Sequence, residues 1–140
     1  MRLKILIAIA QYYPSISENL YKGSALELKK NNFRSDFNFW KKKVPGVFEI
    51  PYLISKEMKN YDAFVALGCV IKGETPHFDL ISSAVIDGIM NLSVTHKKPI
   101  GNGIITCLNE KQAFERADPK KKNKGGEAVR AVLMTLDSSA

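Results

Sequence analysis

One segment of the chain concentrates residues that could do chemistry, and it runs from Gly68 to Asp79. Its first part continues an apolar, strand-like run, and Gly73-Glu74-Thr75 follows the end of that run. Backbone N–H groups in such a turn can point at an anion, and the start of a following helix adds a favourable field. His77 falls in the first turn of that helix, where a neutral imidazole can accept a proton. The segment therefore predicts proton transfer beside a bound anion, for which phosphate is the natural candidate.

The same residues also have a purely structural interpretation. Thr75 could be the N-cap of the helix and Pro76 its first residue, which makes an ordinary strand-to-helix turn. A lone histidine is more often structural than catalytic. His96, the second histidine, lies beside two lysines near the predicted end of the same helix, where a cation is favoured. From these residues alone, the structural and the catalytic interpretations stay open.

Three further side chains have types that a binding site uses. Tyr12 offers a flat ring to a heterocycle, although aromatic residues beside a core strand more often pack than bind. Glu49 lies between two apolar residues; it could accept hydrogen bonds from ligand hydroxyls or occupy the exposed side of a helix start. Arg116 could grip a phosphate with two hydrogen bonds or serve as a cation at a helix C-terminus. Each needs a fold that brings it to the Gly68 to Asp79 segment.

Hydrophobic periodicity supplies the elements of that fold. Strands are expected at Leu3 to Ala10, around Phe37 and Phe39, at Ala63 to Ile71 and at Ile100 to Cys107. Helices are expected at Ser15 to Lys30, Phe48 to Lys59, Glu110 to Ala117 and Lys124 to Leu136. The first of these starts with a capping-box pattern at Ser15 to Glu18. A further helix is expected along the apolar stripe formed by Phe78, Ile81, Val85, Ile89 and Leu92. This alternation predicts an α/β fold, a three-layer α-β-α sandwich around a four-stranded parallel sheet. The loops at 11–14, 44–50 and 69–77 should then converge at the carboxyl ends of the strands.

Composition limits the classes of protein that the chain could be. With 140 residues, of which 45% are hydrophobic, one domain spanning 1–140 can bury an ordinary core. Two distant cysteines and two histidines give poor support to a zinc site or a disulfide framework, so we expect a reduced, metal-free protein. The apolar run Ile5 to Ala10 is too short for a signal peptide. No later segment approaches transmembrane length, so we expect a cytoplasmic protein without a membrane partner.

The chain is basic, with a net charge of +7 and lysine clusters at 41–43 and 120–124. Such a charge could attract nucleic acid or anionic substrates, or could simply keep the protein soluble. Neither cluster is interleaved in sequence with aromatic residues, as platforms for single-stranded nucleic acid are. We therefore do not expect a nucleic-acid partner.

Three blocks of sequence, taken together, resemble the signature blocks of the lumazine synthase family. They are VPGVFEIP at 44–51, GCVIKGETPHFD at 68–79 and NKG at 123–125, and they occur in the family's order. The resemblance implies a flavodoxin-like fold and the penultimate step of riboflavin biosynthesis. In that step 5-amino-6-(D-ribitylamino)uracil and 3,4-dihydroxy-2-butanone 4-phosphate condense to 6,7-dimethyl-8-ribityllumazine, phosphate and water, without cofactor or metal.

The resemblance also implies roles for single residues. It makes His77 the proton shuttle. Within the subunit, the aminouracil and its ribityl chain would be bound by Tyr12, Val47, Phe48, Glu49, Cys69, Val70 and Ile71. The phosphate would be held by Glu74, Thr75 and Arg116.

Family members assemble as pentamers, sometimes as pairs of pentamers or as shells of sixty subunits. The resemblance therefore implies a homo-oligomer with active sites at subunit interfaces, and riboflavin synthase as a candidate partner. Asn102 and Lys124 would reach the site from the neighbouring subunit. The basic charge would then attract two small-molecule substrates, one of them anionic.

The chain departs from the family's pattern at three positions. Tyr12 stands where phenylalanine or tryptophan is common, Asn102 replaces a usual phenylalanine, and Gly126 replaces a bulky residue. Two alternatives compete with the enzyme. One is a catalytically weak family member that binds flavin or lumazine. The other, suggested by the basic clusters, is a module that binds nucleic acid with an affinity that falls steeply with salt, but the sequence lacks the base-stacking surface it would need.

Overall fold

The computed structural model of the chain describes residues 2–138, and within them strands and helices alternate along the chain. The strands are β1 (Ile5–Ala10), β2 (Phe39–Val44), β3 (Ala63–Ile71) and β4 (Ile100–Cys107). The helices are α1 (Pro14–Lys30), α2 (Ile50–Glu57), α3 (His77–His96), α4 (Glu110–Ala117) and α5 (Lys124–Ser138), and a short 3-10 turn (Val47–Glu49) precedes α2.

The strands form one parallel sheet in the order β2-β1-β3-β4. In its register, Ile5 of β1 lies opposite Phe39 of β2 and Ala63 of β3. β1 is buried along its whole length, and β3 is buried at every residue except the last, Ile71. This burial on both faces explains why both sequences are continuous apolar runs. The predicted four-stranded parallel sheet is confirmed.

Helices cover both faces of the sheet. Ile5, Ile7 and Ile9 of β1 belong to the core beneath α1, α4 and α5. Leu6 and Ala8 point to the other face, where the core side chains come from α2 and α3. This alternation follows from the two-residue period of a strand, and it confirms the three-layer, flavodoxin-like sandwich.

Several boundaries differ from the sequence-based expectation. β2 begins at Phe39; Phe37 lies in the preceding loop, with the Arg2 guanidinium 4.3 Å from its ring centroid. The predicted capping box falls inside α1, because this helix already begins at Pro14. The N-cap of α3 is Pro76 rather than Thr75. Both helix starts lie at or beside a proline, and hydrophobic periodicity does not report such turn chemistry.

α3 has the apolar stripe that its sequence pattern predicts. Val85 and Ile89 are buried in the core beneath it, and the other three residues of the stripe are partly buried against that core. By length and composition alone α3 could also cross a membrane, since its mean hydropathy reaches 1.2. The expectation that no segment approaches that length was therefore wrong. A core helix passes the same test, so the result is weak support for a membrane span.

α1 and α5 pack closely enough that their backbones touch. The buried Ser24 hydroxyl of α1 donates to the Gly125 carbonyl of α5 at 2.8 Å. A Cβ atom on Gly125 would overlap the backbone carbonyl of Leu20. The Asn-Lys-Gly block at 123–125 therefore has a packing role within the subunit, because only glycine permits this approach.

This contact predicts that Gly125→Ala destabilises the subunit by about 1–3 kcal/mol, because the two helices must move apart. Urea unfolding at a fixed protein concentration measures the change in the free energy of unfolding. Gly73→Ala is the matched control, since a Cβ atom there meets nothing within 4 Å. Equal stability of the two variants would contradict the packing role.

Candidate active site

Three loops meet at the carboxyl edge of the sheet and enclose a cavity of about 300 Å³. They follow β1, β2 and β3, as the sequence predicted. Parallel strands bring such loops together at one edge, where α/β proteins bind their ligands. The cavity is lined by Tyr12, Tyr13, Gly46, Val47, Phe48, Glu49, Cys69, Val70, Ile71, His77 and Ile81.

The floor of the cavity depends on a glycine in β3. A Cβ atom on Gly68 would lie 2.6 Å from the Cγ1 atom of Val47 and 3.0 Å from the Cβ atom of Ala10. Only glycine lets the 3-10 turn approach the strand so closely. As a result Val47 is buried against β3, while Phe48 projects into the open side of the cavity with 63% of its surface exposed.

The carboxylate of Glu49 stabilises this turn. Its Oε1 atom accepts a hydrogen bond from the Gly46 N–H at 2.9 Å. The side chain therefore has a structural partner, which the sequence did not indicate. A carboxylate can accept several hydrogen bonds, so Glu49 can also accept one from a ligand hydroxyl.

Tyr12 and Tyr13 form the wall beside α1. Their ring centroids are 5.0 Å apart and the ring planes meet at 82°, an edge-to-face contact. Burial raises the pKa of Tyr13, and the nearby Cys69, Tyr12 and Glu110 add to the shift. The Tyr13 hydroxyl therefore keeps its proton at neutral pH.

Cys69 contributes an uncharged wall to the cavity. Burial raises the pKa of its thiol to about 12, and the neighbouring Cys107 adds to the shift. A thiol with this pKa is not a thiolate at neutral pH, so it is a poor nucleophile. Cys69 can shape the pocket but is unsuited to covalent catalysis.

His77 is the first residue of α3 and is among the residues that line the cavity. Its backbone N–H donates to the Thr75 hydroxyl at 3.4 Å, so Thr75 supports the helix start although it is not the N-cap. The imidazole is exposed, with Phe48 and Ile81 among the residues around it. It can exchange protons with a bound molecule and with solvent.

The structure brings eight of the thirteen predicted site residues together around this cavity. Within residues 2–138, the other five lie outside its lining: Glu74, Thr75, Asn102, Arg116 and Lys124. The prediction missed three lining residues, Tyr13, Gly46 and Ile81. Signals for all three existed in the sequence, because Tyr13 and Gly46 fall in predicted site loops and Ile81 in the α3 stripe.

Arg116 lies at the carboxyl end of β4. Its Nη1 atom donates to the Thr106 carbonyl at 2.7 Å and lies 4.0 Å from the Cys107 sulfur. The Cys107 carbonyl accepts from the Lys72 N–H at 2.8 Å, which ties this strand end to the loop carrying Glu74. A guanidinium has five N–H donors, so Arg116 has donors left for an anion above this loop.

Asn102 cannot reach the cavity of its own subunit. It pairs with Ala66 in the sheet, three residues before Cys69, which is roughly 10 Å along the strand. Its side chain is exposed on the edge strand, where it accepts from the Ile104 N–H at 3.1 Å. Lys124 starts α5 and pairs with Glu127 at 3.2 Å.

Comparisons with known proteins agree with one another. The sequence profile of a family described as 6,7-dimethyl-8-ribityllumazine synthase matches residues 2–139. The 6,7-dimethyl-8-ribityllumazine synthase 1 of Rhodopseudomonas palustris is 41% identical over 140 residues, which covers 95% of this chain and 83% of that protein. The protein named 6,7-dimethyl-8-ribityllumazine synthase from Bartonella tribocorum is 43% identical, and the match covers 94% of this chain and 87% of that protein. The protein of the same name from Novosphingobium aromaticivorans is 42% identical, and the match covers 95% of this chain and 94% of that protein. The chain therefore belongs to the 6,7-dimethyl-8-ribityllumazine synthase family.

Proposed function

We propose that this protein catalyses the lumazine synthase reaction, joining 5-amino-6-(D-ribitylamino)uracil to 3,4-dihydroxy-2-butanone 4-phosphate. The observation that carries the proposal is the cavity at the carboxyl edge of the sheet, which gathers Tyr12, Glu49 and His77 in one chain. Family membership over nearly the whole chain supports the same reaction. The products are 6,7-dimethyl-8-ribityllumazine, phosphate and water.

The cavity suits a flat heterocycle with a polar tail. In the proposed complex the pyrimidine stacks on Tyr12, and the strand end Cys69 to Ile71 runs along its edge. The ribityl chain extends over the turn formed by Val47, Phe48 and Glu49, whose carboxylate can accept hydrogen bonds from its hydroxyls. Much of the rate then comes from holding two substrates in the right geometry.

The chemistry consists of proton transfers. The amine of the aminouracil attacks the ketone and forms an imine with loss of water. Phosphate is then eliminated, and ring closure onto the remaining carbonyl releases a second water. His77 is the proposed general acid and base for these steps, since its imidazole lies at the cavity and is accessible to solvent. The thiol of Cys69 takes no part, because its raised pKa keeps it protonated.

The phosphate is proposed to bind between the 73–75 loop and Arg116. Glu74 and Thr75 lie in that loop directly before α3, whose first N–H groups favour an anion. Arg116 is held beside the loop by its bond to Thr106 and adds a positive charge. These groups are remote from the new bonds, but their binding energy can still assist the chemical step.

A homo-oligomer, with the pentamer as its basic unit, completes the proposed site. The outer face of α3 carries three large apolar side chains, since Leu80, Met90 and Val94 are between 60% and 68% exposed. Neighbouring subunits would bury this face, and Asn102 and Lys124 would reach the neighbour's cavity. Light scattering that returned the mass of a single 15.6 kDa chain would contradict this assembly.

The proposed location is the cytoplasm. Both cysteines are free and buried, as in a protein kept in a reducing compartment. Riboflavin synthase, which would consume the product, is a proposed partner.

A direct assay tests the function. Purified protein is mixed with both substrates, and the absorbance of lumazine is followed together with the release of phosphate. We expect both products to appear in equal amounts, faster than without protein. Product at only the uncatalysed rate would favour a protein that binds lumazine or flavin without turning it over.

His77→Ala should lower kcat at least about tenfold while leaving the melting temperature unchanged, because a positioned acid and base typically contributes ~10²–10⁴-fold. The matched control is His96→Ala, at the exposed far end of the same helix. Steady-state kinetics of the two variants measure the difference. Unchanged turnover in His77→Ala would remove this residue from the mechanism.

Arg116→Ala should raise the KM for the dihydroxybutanone phosphate roughly ten- to a hundredfold, the loss expected for one hydrogen bond to a charged group. The KM for the aminouracil should stay nearly constant. Arg130→Ala is the control, because that guanidinium pairs with Glu27 on the α1–α5 surface. An equal loss of affinity for both substrates would contradict a phosphate-specific role.

A further inference from the structure

Tyr12 has little support of its own. It follows the end of β1 in the loop before α1, and 74% of its surface is exposed. Its ring makes an edge-to-face contact with the ring of Tyr13. An exposed side chain of this kind can occupy several rotamers, and ordering it on binding costs free energy.

Tyr13 is anchored on both its backbone and its side chain. It is the N-cap of α1, and its carbonyl accepts the Ser17 N–H at 3.0 Å. Its ring is partly buried against the core beneath α1. The ring therefore has a fixed position, and it lines the cavity beside Tyr12.

The contact between the two rings has a preferred geometry. With centroids 5.0 Å apart and planes at 82°, the positive edge of one ring meets the negative face of the other. This arrangement restricts the ring plane of Tyr12, because rotation of Tyr12 would break it. The anchored residue thus limits the orientation of the exposed one.

We propose that Tyr13 is a positioning residue, whose ring fixes the plane of Tyr12 on which the pyrimidine of the substrate stacks. The inference rests on the proposed function, in which Tyr12 stacks on the aminouracil. It goes beyond that function because it assigns the orientation of the Tyr12 ring to Tyr13. The ring of Tyr13 carries this role, and its hydroxyl does not.

The test compares a variant that removes the ring with one that keeps it. Tyr13→Leu should raise the KM for the aminouracil roughly two- to tenfold, the range of one edge-to-face contact. Tyr13→Phe, which keeps the ring, should have the wild-type KM for the aminouracil. The KM for the dihydroxybutanone phosphate should change little in both variants, because neither Tyr12 nor Tyr13 is placed at the phosphate.

A double-mutant cycle shows whether Tyr13 acts through Tyr12. In a Tyr12→Ala background, Tyr13→Leu should have no further effect on the aminouracil KM, since the platform is already gone. A full additional loss in that background would overturn the proposal. So would wild-type affinity in Tyr13→Leu. Tyr13→Met, a second ring-free variant, repeats the comparison if the leucine variant does not fold.

The failure of this inference differs from the failure of the proposed function. Wild-type protein that makes no lumazine overturns both. An active wild type combined with an unaltered aminouracil KM in the ring-free variants overturns only the role of Tyr13.

Discussion

The parallel pairing of β1 with both β2 and β3 is the interaction on which the candidate site depends. Its register places Ala10 opposite Val44, and it aligns Ile9 with Leu67, so the three strands end at the same edge. The loops that follow must therefore meet. Gly68 then sets how close they come, because a larger residue would push the 3-10 turn away from β3. The cavity is thus a consequence of strand register and one small residue.

Most of the framework could be predicted from the sequence, since buried strands and amphipathic helices have distinct periodicities. β3, β4 and α4 occur with the predicted bounds because their ends carry clear polar or turn residues. The start of β2 was misplaced because Phe37 is apolar yet lies in a loop. The role of Gly125 could not be predicted, because the contact between α1 and α5 is known only once the fold has brought them together.

The site was predictable only in part, because contacts between side chains are known only once the fold has brought them together. Residues at the ends of the strands and in the segments that follow them could be assigned to one edge of the sheet, and eight of the predicted site residues line the cavity. Tyr13 lies in a predicted site loop, but its role as an anchored neighbour of Tyr12 could not be predicted, because that role depends on side-chain packing. Asn102 and Lys124 are not among the residues that line the cavity of their own subunit. The proposed neighbour would close it.

The central claim is that each working site combines groups from two subunits, and co-assembly of two impaired variants tests it most directly. One variant carries His77→Ala and the other Lys124→Ala, and the two chains are refolded together in equal amounts. In a closed ring with head-to-tail interfaces, about one site in four would unite an intact His77 with an intact Lys124. We predict that lumazine formation returns to about a quarter of the wild-type rate. Activity no higher than that of the separate variants would contradict a site shared between subunits.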